Sequence, residues 1–109
     1  MSGAPVRHVR TPTWSGDVRV LDTFGRRLRG LLGTSARAPP VLIGRCSSIH
    51  TVGMGYPIDV AFVDGRGIVC RVQRGLVPGR VSSCRGARYV LERPSRDGVW
   101  VRESERLEF

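Results

Sequence analysis

The stretch from Ile58 to Gln73 constrains the fold more than any other part of this 109-residue chain. Ile58-Asp-Val-Ala-Phe-Val63 and Gly67-Ile-Val-Cys-Arg-Val-Gln73 are apolar runs rich in β-branched residues. The turn sequence Asp64-Gly-Arg-Gly67 joins them, so the pattern predicts a hairpin. A three-residue loop, Asp64 to Arg66, sets Phe62 opposite Ile68, Val60 opposite Cys70 and Ile58 opposite Val72, all apolar pairs. A two-residue loop sets Arg71 opposite Ile58 and spoils the match. The three-residue register also places Asp59 opposite Arg71, a favourable cross-strand charge pair.

The rest of the chain is heavily punctuated. Its 14 glycines and 7 prolines argue for short elements joined by tight turns. Residues 1–13 show no periodicity and read as a flexible N-terminal tail. Residues 17–21 alternate polar and apolar, as a first strand does. Over residues 22–33, Phe24, Leu28, Leu31 and Leu32 share one face of a short helix, with Asp22 or Thr23 to cap its start and Gly33 its end. Residues 41–43 suggest a strand, and 49–52 extended chain. Residues 74–86 read as loop, with at most a short extended piece at 76–77. Residues 87–92 form a strand that Pro94 stops, and 99–101 and 107–109 are short terminal strands. The expectation is a mostly β, single-domain β-barrel or sandwich over residues 14–109, of about seven short strands and one short helix.

The formal net charge is +9, and all 18 basic residues are arginine. They are dispersed: 14 arginines and 4 acids fall in residues 1–91, against 4 arginines and 5 acids in 92–109. Weak binding to polyanions follows from such a charge. Specific recognition of nucleic acid does not, because no helix-turn-helix, zinc-finger or RNA-recognition signature is present. No apolar run approaches the ~20 residues of a membrane span, and the N-terminus lacks the apolar core of a signal peptide. Three cysteines cannot all pair within one chain. The chain therefore reads as a cytoplasmic monomer with free thiols. In an oxidising compartment a Cys46–Cys84 disulfide can form, with Cys70 left free and buried.

Chemistry-bearing residues concentrate between Cys46 and Asp59. Cys46 and His50 are four apart on extended chain and share a face, with Ser48 between them. Two such ligands do not make a metal site, and no Cys-x-x-Cys or His-x-x-His pattern adds others, so neither metal nor cofactor is expected. A Cys–His nucleophile pair needs an orienting acid, and Asp59 is the nearby candidate. The structural alternative makes Asp59 a partner of Arg71 or of turn amides. Gly53 and Gly55 allow positive φ or a close backbone approach, suiting a bulge or a small cleft. The leading reading is a non-enzymatic domain that binds an unknown ligand or protein partner through Cys46, His50, Thr51, Met54, Tyr56 and Asp59. A hydrolase using Cys46, His50 and Asp59 is the second reading, and a basic nucleic-acid binder the third.

From about Arg19 onward the chain resembles the bacterial and archaeal family called domain of unknown function 192. The resemblance rests on Arg29-Gly-Leu-Leu-Gly33, Cys46-Ser-Ser-Ile-His-Thr51, Met54-Gly-Tyr-Pro-Ile-Asp59 with Val60-Ala-Phe-Val-Asp64, Gly67-Ile-Val69, Pro78, and residues 87–92. It implies a small, mostly β fold with one helix, and it does not imply an activity. Many relatives look exported or membrane-anchored. The C-terminal part departs from the family pattern. Ser95-Arg96 and Ser104-Glu105 stand where relatives carry a small residue with Gly and a Gly-Asp pair.

Overall fold

The computed structural model describes residues 5–21 and 34–109. Eight strands follow in chain order: β1 Val6–Arg10, β2 Ser15–Leu21, β3 Val41–Gly44, β4 Ser48–His50, β5 Ile58–Asp64, β6 Val69–Leu76, β7 Val81–Ser83 and β8 Ala87–Pro94. Six make one sheet in the order β1-β2-β3-β8-β5-β6, while β4 pairs with β7 in a second, two-stranded sheet. The protein is mostly β, and the described residues contain no helix. The helix expected over 22–33 lies outside the described residues.

Residues 6–10, expected in a tail, instead form β1 and pair antiparallel with β2. Val9 inserts into the core, and the polar residues around it hid its role. Strand β3 runs parallel to β2, from Arg19↔Val41 to Leu21↔Ile43. A parallel pair needs a crossover of a dozen or more residues, which residues 22–40 supply.

The main sheet does not close into a barrel among the described residues, because β1 and β6 remain its edges. Of the two C-terminal segments expected as strands, 99–101 makes no strand pairing and 107–109 makes only the isolated bridge Arg10↔Glu108, next to a second bridge, Ile68↔Arg106. Together they make a strap across the open ends. At the β6 side, Ser104 N donates to Val69 O at 2.7 Å and Val69 N to Glu105 O at 2.8 Å. At the β1 side, Arg10 and Glu108 exchange two backbone bonds of 2.8 Å. The strap thus satisfies edge groups that strand pairing leaves free.

The hairpin of β5 and β6 forms, but in a different register. Its pairs are Val63↔Val69, Phe62↔Arg71, Ala61↔Val72, Val60↔Gln73 and Ile58↔Leu76. Two features replace the expected pairing. Asp64 closes the turn by accepting from Arg66 N at 2.8 Å and Ile68 N at 3.0 Å, with Gly67 at φ +85°. The three-residue loop is therefore 65–67. Beyond it, Cys70 is the extra residue of a bulge, and a second bulge falls at Arg74-Gly75. The one-face argument could not detect these shifts, because β5 lies between β6 and β8 and is buried on both faces.

Those two faces build two cores. On the first, Val9, Trp14, Val18, Leu42, Ala61, Val63 and Leu91 pack beneath Trp100, Val101 and Leu107 of the strap. On the second, Val41, Ile43, Ile58, Val60, Phe62 and Val90 pack with Ile49 of β4.

Candidate functional site

The residues singled out in the sequence divide between these faces. Cys46, Met54 and Tyr56 are half-buried and pack on the second face. The Cys46 thiol donates to Ser48 O at 3.2 Å, and the Tyr56 hydroxyl is hydrogen-bonded to Thr34 Oγ1. His50 ends β4 and is exposed. Thr51 is fully buried. Its hydroxyl donates to Val77 O at 2.7 Å and accepts from Arg80 N at 2.8 Å, so it fastens the loop between β6 and β7. Of the two glycines nearby, Gly53 takes positive φ (86°) and Gly55 does not.

Asp59 does not join this group. Alternation along β5 puts it on the first face, and its exposure is 0%. The expected Asp59–Arg71 pair does not form. Oδ2 accepts from Arg93 Nε at 2.9 Å, and Oδ1 accepts from Ser95 Oγ at 2.9 Å and Gly75 N at 3.0 Å. Gly75, at φ +67° in the second bulge, aims its N–H at the carboxylate. Arg74 Nη2 lies 3.6 Å from Oδ2. Arg93 in turn lies over Trp100, 4.4 Å from the ring centroid. Burial lowers the Arg93 pKa while Asp59 opposes the fall. Asp59 is thus a saturated structural anion, and it is not positioned to orient Cys46 and His50. Arg71 turns instead to β7, where Nη1 donates to Ser83 O at 2.7 Å.

A cleft of about 590 Å³ opens on the first face beside Phe109. Val20 of β2 with Leu42 and Gly44 of β3 lines it from the sheet, and Tyr89 of β8 and Phe109 add aromatic rings. Arg7, Arg45 and Arg88 complete the lining. Each is placed by a local feature. Arg7 pairs with Val18 across β1–β2 and so faces this side, with its guanidinium 5.4 Å from the Phe109 centroid. Arg45 follows β3 in the left-handed region at φ 53°. Arg88 is the extra residue where Val63↔Tyr89 gives way to Asp64↔Ala87. The three are exposed, and among the described residues none has a carboxylate within 4.0 Å. The size falls in the range of small-ligand pockets, roughly 300–1,000 Å³.

Sequence reading missed this cleft. Arg7 lay in the presumed tail, and Arg45 and Arg88 are 43 positions apart, brought together by the pairing of Gly44 with Tyr89 and the bond from Cys46 N to Arg88 O. The one local sign was Arg45 after Gly44, where the chain leaves a strand.

An open, strap-tied β-sheet with both faces packed defines a small two-faced β domain. The chain belongs to DUF192, described as Uncharacterized ACR, whose family model matches residues 7–99. Two solved structures share the fold. A protein of unknown function from Novosphingobium aromaticivorans is 16% identical with a TM-score of 0.83, over 99% of this chain and 88% of that one. A proposed transcription regulator from Sinorhizobium meliloti is 21% identical with a TM-score of 0.81, over 99% and 96%. Among curated proteins no sequence match was found.

Proposed function

We propose that this protein is a binding domain for a small organic anion carrying an aromatic or other flat apolar part, and that the ligand sits in the cleft on the first face. The observation that carries this reading is the grouping of Arg7, Arg45 and Arg88 around one concavity lined by Val20, Leu42, Tyr89 and Phe109. A chain with twice as many arginines as acids leaves many guanidiniums without an acid. What distinguishes these three is convergence on a concave surface that also carries the half-buried Tyr89 and exposed Phe109 rings. Guanidinium groups bind carboxylate, sulfonate or phosphate through charge-assisted hydrogen bonds. The rings and aliphatic side chains favour the rest of such a ligand.

The test is a titration with anilinonaphthalene sulfonate, an aromatic anion, followed by its fluorescence. Saturable one-to-one binding is expected. The double variant Arg45→Ala with Arg88→Ala should weaken it about tenfold or more, as expected for lost charge-assisted bonds. Arg80→Ala, exposed and outside the cleft, should leave it unchanged. Equal binding by the double variant, or equally tight binding of neutral naphthalene, would overturn the reading.

A further inference from the structure

The bulge in β6 has a chemical consequence. It turns Cys70 toward the loop that follows β7, where the Cys70 and Cys84 sulfurs lie 3.2 Å apart. The two residues are 14 positions apart and both half-buried. Their surroundings hold them in register. Arg71 bonds Ser83 O at 2.7 Å, and Ser82 Oγ donates to Gln73 Oε1, so two successive ties hold β7 to the β6 edge immediately beside the thiol pair. Cys84 N also donates to Ser47 O at 3.0 Å, which anchors the same loop to the start of β4.

We propose that Cys70 and Cys84 form a reversible disulfide that locks the β4–β7 pair onto the main sheet. The oxidant is a low-molecular-weight disulfide of the glutathione type. The Cys84 thiolate attacks one oxidant sulfur, which breaks that S–S bond, forms a mixed disulfide and releases one thiol. The Cys70 thiolate then attacks the Cys84 sulfur and expels the second thiol. Two protein thiols are oxidised, one small disulfide is reduced, and the two protons leave with the released thiols. Burial and the neighbouring Cys84 push the Cys70 thiol up to about 11. The order of attack follows: Cys70 is seldom a thiolate, so it acts second and slowly.

This assignment differs from the Cys46–Cys84 pairing that the sequence allows, and the two are separable. The full chain is equilibrated with oxidised and reduced glutathione at several ratios, quenched by alkylation and mapped by peptide mass. The expected result is one intramolecular link joining Cys70 and Cys84, reversed by reductant, with Cys46 alkylated. The Cys46→Ser variant should retain the link, and Cys70→Ser should lose it. Closing so short a loop should raise the thermal midpoint of the oxidised form by on the order of 10 °C. A link through Cys46, glutathionylated protein without an internal bond, or no oxidation at any ratio would overturn the proposal. The mapping uses the unaltered chain, so a variant that folds poorly does not leave the question open.

Discussion

Glu92 is a built-in source of pH-dependent stability, and its contribution can be isolated. It stands in a row that crosses five strands: Arg19, Val41, Glu92, Val60 and Gln73. Its flanking partners Val41 and Val60 are fully buried, and Glu92 itself is 5% exposed. Among the described residues no ion pair or hydrogen bond reaches its carboxylate; Arg19, the nearest cation in the row, is two strands away. Burial raises its pKa from 4.5 to about 7. Ionising the group in place therefore costs about 3 kcal/mol relative to the unfolded chain. The folded state holds this proton more tightly than the unfolded state does. The Glu92 contribution to stability is thus greatest below about pH 4.5, falls as pH rises towards 7, and is level beyond it. Glu92→Gln keeps the shape and removes the titration. Urea unfolding across pH 4 to 8 should show the variant matching the parent at pH 4 and exceeding it by about 3 kcal/mol at pH 8. A difference that does not change with pH would refute the reasoning, as would a variant less stable at pH 8.

Other expectations are open to simpler tests. Asp59→Asn leaves the buried Arg93 guanidinium without its counter-charge and should cost about 3–5 kcal/mol in urea unfolding; a loss below 1 kcal/mol would show that the carboxylate is dispensable. Gly75→Ala forces a Cβ into the left-handed region at φ +67° and should cost about 1–2 kcal/mol, while a neutral result would show that the bulge re-forms without it. Binding of the aromatic anion should weaken as salt is raised from 0.05 to 0.5 M, because exposed guanidiniums are screened. Affinity that is flat with salt would place the probe on an apolar surface instead of at the arginines.

How much of this was legible in the sequence depended on whether one strand or two carried the information. Residues 41–43, 58–63 and 87–92 were readable because each is an apolar run with turn residues at its ends. The pairing of those strands was not. Strand β5 presents Ile58, Val60 and Phe62 to one core and Ala61 and Val63 to the other. With apolar residues on both sides, a shift in register leaves the hydrophobic match intact and sequence cannot choose. The bulges at Cys70 and Arg74-Gly75 then decided it locally. The opposite failure occurred at β1, where Val9 alone is buried and one apolar residue gives no period to detect. For the site, the glycine-rich stretch from Cys46 to Asp59 drew attention because its polar residues are adjacent in sequence. Thr51 and Asp59 instead bond the scaffold, and the residues that converge on a cleft come from β1, the end of β3, β8 and the C-terminus.

The strap links fold and cleft. Residues 100–107 cover the first face with Trp100, Val101 and Leu107, and Trp14 meets Trp100 edge-on with ring centroids 5.1 Å apart. Cover of that kind excludes water from β5 and from the middle of β8. Glu108 bonds to Arg10, and the Phe109 ring beside it is 63% exposed. Val20, Leu42 and Tyr89 of β2, β3 and β8 line the cleft next to that ring. Arg7 leans on Phe109 from β1, while Arg45 and Arg88 enter from the ends of β3 and β8. Apolar lining that water reaches costs free energy, and surrounding it with three guanidiniums concentrates positive charge where, among the described residues, no carboxylate lies within 4.0 Å of them. Both costs are relieved by one kind of occupant, an anion with a flat apolar body, and the opposite ends of such a molecule would meet the opposite kinds of lining.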